Sequence, residues 1–294
     1  MIDVSIVIVN YNTTQLTIDC IDSIIKFSQG FSYEIIVVDN GSSDRSIEEV
    51  ILKHENVKLV CNSLNKGFGS ANNIGYSYAK GKFLYMLNSD TILLNNAIKY
   101  FVDFYNSNKN NLNIGALGSM LVNSDLHNAH SFGVFPNYVN TIFRYKYKKN
   151  EIFITSKYNE VDYLTGASLF IPIEIINRFG FFDEQFFMYY EETDFLYRIK
   201  SLGGFCCYLI DGPSIIHLEG KSSNKISNYK RIMVEESKFK YINKNCNNNI
   251  FTYSVFGLFY LISKLLIFFN CRYSFNDNVN YYYIIIKLLF KLKK

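Results

Sequence analysis

The first 90 residues alternate short apolar runs with segments of helical periodicity, and this alternation constrains the fold more than any other feature. The apolar runs have strand length and are Val4–Val9, Glu34–Val38, Val57–Cys61 and Phe83–Leu87. Between them, Thr14–Phe27 carries an apolar stripe typical of a helix, and a second helix is predicted near Ala71–Ala79 after a glycine-rich turn. Continuous apolar strands separated by helices predict an α/β fold with a parallel sheet covered on both faces.

Polar residues follow three of these strands where each strand ends. The three clusters are Asn10–Asn12, Asp39–Ser42 and Asn88–Asp90. Ligands of open α/β sheets bind outside the carboxyl ends of the strands, so we expect the clusters to share one site. There Asp39 can accept hydrogen bonds from a base or ribose, Tyr11 offers an aromatic face, and Asp90 can hold Mg²⁺ or Mn²⁺. A capped turn explains Asp39 equally well, and helix capping is the alternative for Asp90.

Composition and missing motifs exclude several classes of protein. A chain with 49% hydrophobic and 19% charged residues is not intrinsically disordered, and a net charge of +4 does not call for a nucleic-acid partner. The first strand runs into Asn10–Asn12 instead of G-x-G-x-x-G, and Gly67–Gly69 lacks the third glycine, so the sheet is not a standard NAD or ATP binder. The N-terminal apolar run has no preceding basic region, which predicts a strand, no signal peptide and a cytosolic catalytic part.

A run of acids occurs in the segment Phe186–Arg198. Glu191, Glu192 and Asp194 follow five apolar or aromatic residues. Apolar surroundings raise the pKa of a carboxyl group and suit a general base. Acids also stabilise the N-terminus of a helix, and Arg198 lies four residues after Asp194, so pairing between them would make Asp194 structural.

A single histidine, His217, follows another apolar run. The stretch Gly220–Ser223 comes shortly afterwards and suits contact with phosphate. A histidine packed in the core is the alternative explanation.

Taken together, these motifs resemble family 2 glycosyltransferases of the GT-A fold, and most closely the bacterial rhamnosyltransferase-like branch that builds surface polysaccharides. The resemblance covers residues 1–223 through segments in the same order: Val4–Asn12, Val37–Asp44, Asn65–Gly75, Leu87–Asp90, Gly166–Ile171, Gly180–Arg198 and His217–Ser223. It implies a catalytic domain over residues 1–225 with a Rossmann-like, mostly parallel sheet.

The resemblance also implies roles for individual residues. Donor-binding positions would be Tyr11, Asp39, Asn65, Lys66, Gly67, Asn73, Asn88 and Asp90. Asp90, helped by His217, would bind Mg²⁺ or Mn²⁺, and the catalytic run would be Glu191, Glu192 and Asp194 with Glu192 as the base. Two positions depart from the family pattern, because Asn88 replaces the first acid of D-x-D and Glu192 replaces an aspartate. Neither departure removes the chemistry, but both leave room for a weakened enzyme.

Residues 226–294 differ from the rest in charge and composition, with 11 Lys and Arg against 3 Asp and Glu. Phe251–Phe269 is almost wholly apolar, with a length marginal for spanning a bilayer. Within Ile284–Lys294, one helix face would carry Lys287, Lys291 and Lys294, and the other Ile285, Leu288, Leu289 and Leu292. A basic amphipathic helix predicts binding to an anionic membrane surface, and a helical cap packed on the catalytic domain is the alternative.

The resemblance implies a metal-dependent, inverting glycosyltransferase of cell-surface polysaccharide synthesis, and the basic tail adds the expectation that it works at the inner face of the cell membrane. The expected donor is dTDP-L-rhamnose, and the expected acceptor is a saccharide or a lipid-linked glycan. Two alternatives stay open: the same enzyme with a UDP-hexose donor, and a catalytically weak paralogue that binds sugars or partner proteins.

Overall fold

A computed structural model describes residues 2–43, 47–143, 157–218, 228–246, 249–265, 268 and 273–291. The strands are β1 (Val4–Asn10), β2 (Tyr33–Asp39), β3 (Lys58–Cys61), β4 (Phe83–Asn88), β5 (Thr91–Leu93), β6 (Ile114–Val122), β7 (Phe132–Gly133), β8 (Tyr158–Val161), β9 (Tyr163–Leu164), β10 (Ser168–Pro172) and β11 (Cys206–His217). The helices are α1 (Thr14–Phe27), α2 (Glu48–Lys53), α3 (Phe68–Ser77), α4 (Ala97–Asn108), α5 (Tyr138–Phe143), α6 (Ile173–Phe179), α7 (Glu191–Gly203), α8 (Asn228–Asn245), α9 (Ile250–Lys264) and α10 (Phe275–Lys291).

Most of the described strands form one mixed sheet in the order β3-β2-β1-β4-β10-β6-β11-β5, with β8 beside β11. The four strands that the sequence predicted are β1 to β4, and they pair in parallel. Strand β1 lies between β2 and β4, and β3 lies outside β2. The predicted parallel sheet is therefore confirmed for this half. Strand β10 runs antiparallel to β4 and β6, and β5 and β8 run antiparallel to β11, so the other half is mixed.

The sheet is buried on both faces, which explains why its central strands are continuous apolar runs. Successive residues of β1 point to opposite faces, so Ile6 and Ile8 join one apolar cluster with helices α1 and α4, whereas Val7 joins the other. The second cluster includes Ala71 of α3 and Leu196 of α7. Helix α7, which carries the acidic run, is thereby fixed to the sheet by its apolar face.

One predicted helix start differs from the structure. Helix α3 begins at Phe68, earlier than predicted, because Gly67 adopts a left-handed conformation (φ +88°) that turns the chain into the helix. Helix α2 begins at Glu48, and its N-cap position Ile47 provides no side-chain cap. In the turn after β2, Ser43 donates its hydroxyl to Asn12 Oδ1 at 3.1 Å.

Helices α8, α9 and α10 pack around an aromatic cluster of their own. Its buried members are Phe186, Phe239, Tyr241, Ile242, Tyr253, Phe256, Tyr260, Tyr281, Ile285 and Leu289. Phe186 belongs to the chain just before α7, so the cluster joins the C-terminal helices to the catalytic part. The predicted domain boundary near residue 225 falls outside the described residues.

The apolar face predicted to meet a membrane faces inward in the structure. Ile285 and Leu289 are buried in the aromatic cluster and Leu288 packs against it, because the apolar face of α10 meets α8 and α9. Leu292 and Lys294 lie outside the described residues. Among the helices that the structure describes, none has both the length and the apolar character needed to cross a membrane.

A buried ion-pair network lies inside these three helices. The Glu235 carboxylate accepts hydrogen bonds from Lys264 Nζ at 2.7 Å, from Tyr281 OH at 2.6 Å, from Lys238 Nζ at 3.1 Å and from the Tyr260 hydroxyl. The charges of the two lysines hold the pKa of Glu235 well below its usual range, against the opposing effect of burial. One carboxylate thus connects α8, α9 and α10.

Replacing Glu235 should destabilise the folded protein strongly. Glu235→Ala leaves the buried Lys264 ammonium without its carboxylate, and removing one partner of a buried pair costs about 3–5 kcal/mol. Urea unfolding followed by circular dichroism measures the loss. The neighbouring exposed Glu236 is the matched control, and Glu236→Ala should unfold as the wild type does; equal stabilities of the two variants would contradict the role of the network.

Candidate active site

Hydrogen bonds join the three polar strand ends into one edge of the sheet. Asn10 Nδ2 donates to Asp39 Oδ1 at 2.8 Å, and Thr13 Oγ1 donates to Asn10 Oδ1 at 3.1 Å. The hydroxyls of Thr13 and Ser89 lie 3.0 Å apart. The structure therefore brings together the clusters at the ends of β1, β2 and β4, as the strand order predicted.

Asp39 is buried and fixed by its own turn. Ser42 donates its hydroxyl to Asp39 Oδ1 at 2.5 Å and its backbone N–H to Oδ2 at 3.2 Å. Tyr11, which follows β1, remains 45% exposed. The edge thus holds a rigid carboxylate and an accessible aromatic ring.

Asn40 is the hydrogen-bonding centre of the next loop, although the sequence reasoning did not select it. Its side-chain nitrogen donates to Asn65 Oδ1 at 2.9 Å and to Gly67 O at 3.2 Å. Its side-chain oxygen accepts from Lys66 N and from Asn62 Nδ2, both at 3.1 Å. The only sequence signal was its place directly after Asp39 in a polar strand end.

The loop before α3 is held against the chain that leads into the acidic run. Phe68 N–H donates to Phe187 O at 2.9 Å. A Cβ atom on Gly67 would lie 2.2 Å from the same oxygen, so only glycine fits there. Asn73, predicted to bind the donor, uses its amide for the Phe182 backbone, donating to Phe182 O at 2.9 Å and accepting from Phe182 N at 3.1 Å.

Asp90, directly before β5, lies beside His217 at the end of β11. Asp90 is buried, and its Oδ1 lies 3.3 Å from His217 Nε2. The backbone N–H of Leu218 donates to Asp90 O at 2.9 Å, which fixes the end of β11 beside Asp90. Residues Gly220–Ser223, predicted to contact phosphate, lie outside the described residues.

This pair fits the protein side of a divalent-cation site. A carboxylate oxygen and an imidazole nitrogen point at each other, and Mg²⁺ or Mn²⁺ bound to a diphosphate needs few protein ligands because phosphate and water supply the rest. Within the described ranges, no cluster of three or more His, Cys, Asp or Glu side chains has a metal-binding arrangement. The residues present therefore suit a cation brought with a phosphate ligand, in contrast to a closed structural site.

Glu191 and Glu192 begin α7 beside the Gly67 loop. An added Cβ on Gly69 would lie 3.4 Å from Glu191 Cβ, and one on Gly166 would lie 3.8 Å from Glu192 Cδ. Gly166 precedes Ala167, whose carbonyl accepts the Asn88 N–H at 3.0 Å. Glu191 and Glu192 therefore lie close to the strand-end edge. Glycines occupy the positions where these two side chains approach neighbouring segments of the protein.

The two glutamates occupy a desolvated environment that favours their neutral forms. Burial raises the pKa of Glu191 well above its ordinary value, and the charge of Glu192 adds to the effect. Burial also raises the pKa of Glu192, opposed by hydrogen bonds from the backbone N–H groups of Glu192, Gly166 and Thr193. Such an acid pair does not carry two full charges at once, and the neutral form is favoured more strongly for Glu191.

Asp194 is buried and interacts with α8. Its Oδ2 lies 2.8 Å from Lys244 Nζ and its Oδ1 accepts from Asn245 Nδ2 at 2.9 Å, whereas Arg198 is farther away at 3.7 Å. Arg198 mainly donates to the carbonyls of Phe179–Phe181. The geometry agrees with the structural alternative for Asp194, with Lys244 and Asn245 as the nearer partners.

The chain before α7, residues 183–190, is held by α8. Ser237 donates its hydroxyl to Met188 O at 2.7 Å, and Lys240 Nζ donates to Gln185 O at 2.8 Å. Tyr189 and Tyr190 both adopt left-handed backbone conformations with φ +70°. Consecutive non-glycine residues seldom adopt this conformation, so the surrounding contacts must impose it.

Curated proteins similar to this chain are glycosyltransferases. The chain is 35% identical over 99 residues to the glycosyltransferase GlyG of Streptococcus pneumoniae, which covers 33% of each chain. It is 32% identical over 97 residues to the UDP-Glc:alpha-D-GlcNAc-diphosphoundecaprenol beta-1,3-glucosyltransferase WfgD of Escherichia coli, covering 33% of this chain and 38% of that protein. The aligned parts thus span well under two thirds of either relative.

Solved structures share the fold. The mannosyltransferase PcManGT of Pyrobaculum calidifontis, solved with GDP-Man and Mn²⁺, aligns over 99% of this chain and 86% of its own with a TM-score of 0.60 and 13% identity. This likeness confirms the GT-A architecture. Residues 5–169, more than half of the chain, match the sequence profile described as glycosyl transferase family 2. The chain therefore belongs to glycosyl transferase family 2.

Proposed function

We propose that this protein transfers a sugar from a nucleotide-diphosphate donor to a saccharide or lipid-linked acceptor in cell-surface glycan synthesis, by one displacement that inverts the anomeric centre. The observation that carries the proposal is the desolvated pair Glu191 and Glu192, next to the Gly67 loop and close to the edge that holds Asp39 and Asp90. A proton acceptor and a nucleotide site at the same edge are what glycosyl transfer requires.

Donor binding is assigned to the strand-end edge. Asp39, held by Asn10 and Ser42, accepts hydrogen bonds from the base or ribose, and the exposed Tyr11 ring packs on the base. The adjoining loop of Asn65, Lys66 and Gly67, organised by Asn40, encloses the donor, and Asn88 and Asp90 lie on its diphosphate side. Asn73 supports this loop indirectly, because its amide is engaged with Phe182.

In the chemical step, Glu192 removes the proton of an acceptor hydroxyl as that oxygen attacks the anomeric carbon. The new carbon–oxygen bond forms while the bond to the diphosphate breaks, and its electron pair leaves with the nucleoside diphosphate. Glu191 remains in its neutral form beside the base. Asp194 positions α7 through Lys244 and Asn245 and is not assigned a chemical role.

Asp90 and His217 would hold the divalent cation, Mg²⁺ or Mn²⁺. When bound, such a cation neutralises the charge that develops on a leaving diphosphate. The short approach of Asp90 Oδ1 to His217 Nε2 supports this assignment.

Two nucleotide sugars are candidates for the donor. The sequence resemblance favours dTDP-L-rhamnose, whereas the name of the relative WfgD specifies UDP-Glc and favours a UDP-hexose. The diphosphoundecaprenol-linked acceptor in the same name supports a lipid-linked acceptor for this chain, and with it work at the inner face of the cell membrane.

Donor binding and its cation dependence can be measured together by calorimetry. We expect either dTDP-L-rhamnose or a UDP-hexose to bind with Mn²⁺ present and to bind weakly after chelation, because the diphosphate shares the cation with Asp90. Asp90→Asn should weaken the Mn²⁺-dependent part of binding. Binding of the donor that is unchanged by chelator and by this variant would contradict the cation site; binding without any transfer would favour the catalytically weak paralogue.

Substitution of the two glutamates should separate the base from its neighbour. Glu192→Gln should lower turnover by about 10²–10⁴-fold, the usual contribution of a general base, while donor affinity stays near that of the wild type. Glu191→Gln is the matched control and should retain most of the turnover, because glutamine resembles the neutral acid assigned there. If Glu191→Gln lost activity and Glu192→Gln kept it, the assignment would be reversed.

The pH dependence of transfer should report the desolvated base. Glu192 must be ionised to accept a proton, and burial raises its pKa, so activity should be lost on acidification at a pH above the ordinary glutamate value of about 4.3. A profile of kcat/KM against pH measures this limb. An acid limb at or below the ordinary value would show that the base is well solvated, contrary to the proposal.

A further inference from the structure

We propose that the outward face of α9, extended by α10, docks on the surface of an anionic lipid bilayer. The outward positions of α9 are apolar and exposed: Phe251, Val255, Leu258, Phe259, Ile262 and Leu265, which directly follows the helix. Their spacing places them along one side of the helix. Phe251 is 75% exposed and Leu258 60%, so these side chains extend well away from the protein surface.

The opposite side of α9 is already packed. Tyr253, Phe256 and Tyr260 are buried in the aromatic cluster of the C-terminal helices, and Lys264 is buried against Glu235. The helix is therefore apolar on both sides, whereas a helix at an ordinary protein surface is polar on its outer side. The exposed apolar residues of α9 therefore do not contribute to the hydrophobic cluster of the C-terminal helices.

Helix α10 adds a second set of outward apolar side chains. Phe275, Val279, Tyr283 and Phe290 are exposed, and Lys287 Nζ lies 4.4 Å from the Tyr283 ring centroid. The two helices are in direct contact, because Tyr253 OH donates to Leu289 O at 3.4 Å and Tyr282 OH donates to Leu261 O at 3.3 Å. These two contacting helices thus expose several large apolar side chains each, which is more than the scattered single residues of an ordinary surface.

The charge of this part of the chain favours lipid as the occupant. Residues 226–294 contain 11 Lys and Arg against 3 Asp and Glu, and Glu235 is neutralised inside the bundle by two lysines. Lys287 is exposed beside the outward residues of α10, and an anionic bilayer attracts a basic segment of this kind. Because no described helix can cross a membrane, the surface would lie in the interfacial region.

Docking of this surface would bring the enzyme to the proposed lipid-linked acceptor, and in that respect alone the docking rests on the proposed function. The lipid-binding face proposed here also differs from the face of α10 that the sequence predicted. The buried Ile285 and Leu289 hold the bundle together, and the residues available to lipid are those of the outer stripes.

The test is co-sedimentation of the full chain with vesicles of phosphatidylglycerol and phosphatidylethanolamine, against vesicles of phosphatidylcholine alone. The wild type should pellet with the anionic vesicles and less so at high salt. Leu258→Gln/Ile262→Gln should weaken binding about 10-fold or more, because two exposed aliphatic side chains no longer enter the interface. Lys287→Glu should reduce the preference for anionic lipid.

A matched variant controls for loss of exposed apolar surface in general. Leu52 and Leu202 are exposed leucines on α2 and α7, and Leu52→Gln/Leu202→Gln should bind vesicles as the wild type does. Circular dichroism melting checks that both double variants fold. Failure of the wild type to pellet, equal binding by the two variants, or a dimer that only the α9 variant dissociates would each overturn the proposal. Vesicle binding needs no donor, so its failure is distinct from failure of the glycosyltransferase assignment.

Discussion

The backbone of residues 183–190 is held from two sides, and the position of the acids Glu191 and Glu192 depends on it. On one side Phe187 O accepts the N–H of Phe68 at the start of α3, and on the other Ser237 of α8 donates to Met188 O. Two left-handed residues then turn the chain directly into α7. The Gly67 loop, the proposed base Glu192 and the C-terminal helices thus share one short segment, and its backbone strain is compensated by the contacts around it.

This arrangement changes how the C-terminal helices are understood. Sequence alone distinguishes the catalytic part from a basic C-terminal segment, and it predicts that this segment binds a membrane. In the structure, α8 contacts the segment before the base, and Lys244 and Asn245 bind Asp194 on α7. The same helices can therefore stabilise the active site with their inner face and meet a surface with their outer face.

The sequence predicted the catalytic half well because its signals are local. Buried parallel strands are continuous apolar runs, and their polar ends fall at one edge by topology, so Asp39 and Asp90 are expected from sequence to share one site. The packing partner of α10 could not be predicted. Amphipathicity indicates that Ile285 and Leu289 meet an apolar environment, but it does not distinguish a membrane from neighbouring helices. Asn40 was missed because its role depends on a loop 25 residues away.

The configuration of the transferred sugar tests the account most directly. With a donor of known anomeric configuration, NMR of the first-formed product reads the outcome of the displacement at the anomeric carbon. A single displacement with Glu192 as base predicts inversion throughout the initial phase of the reaction. A product that retains the donor configuration would require two displacements, and it would contradict the assignment of Glu192 and of the site around it.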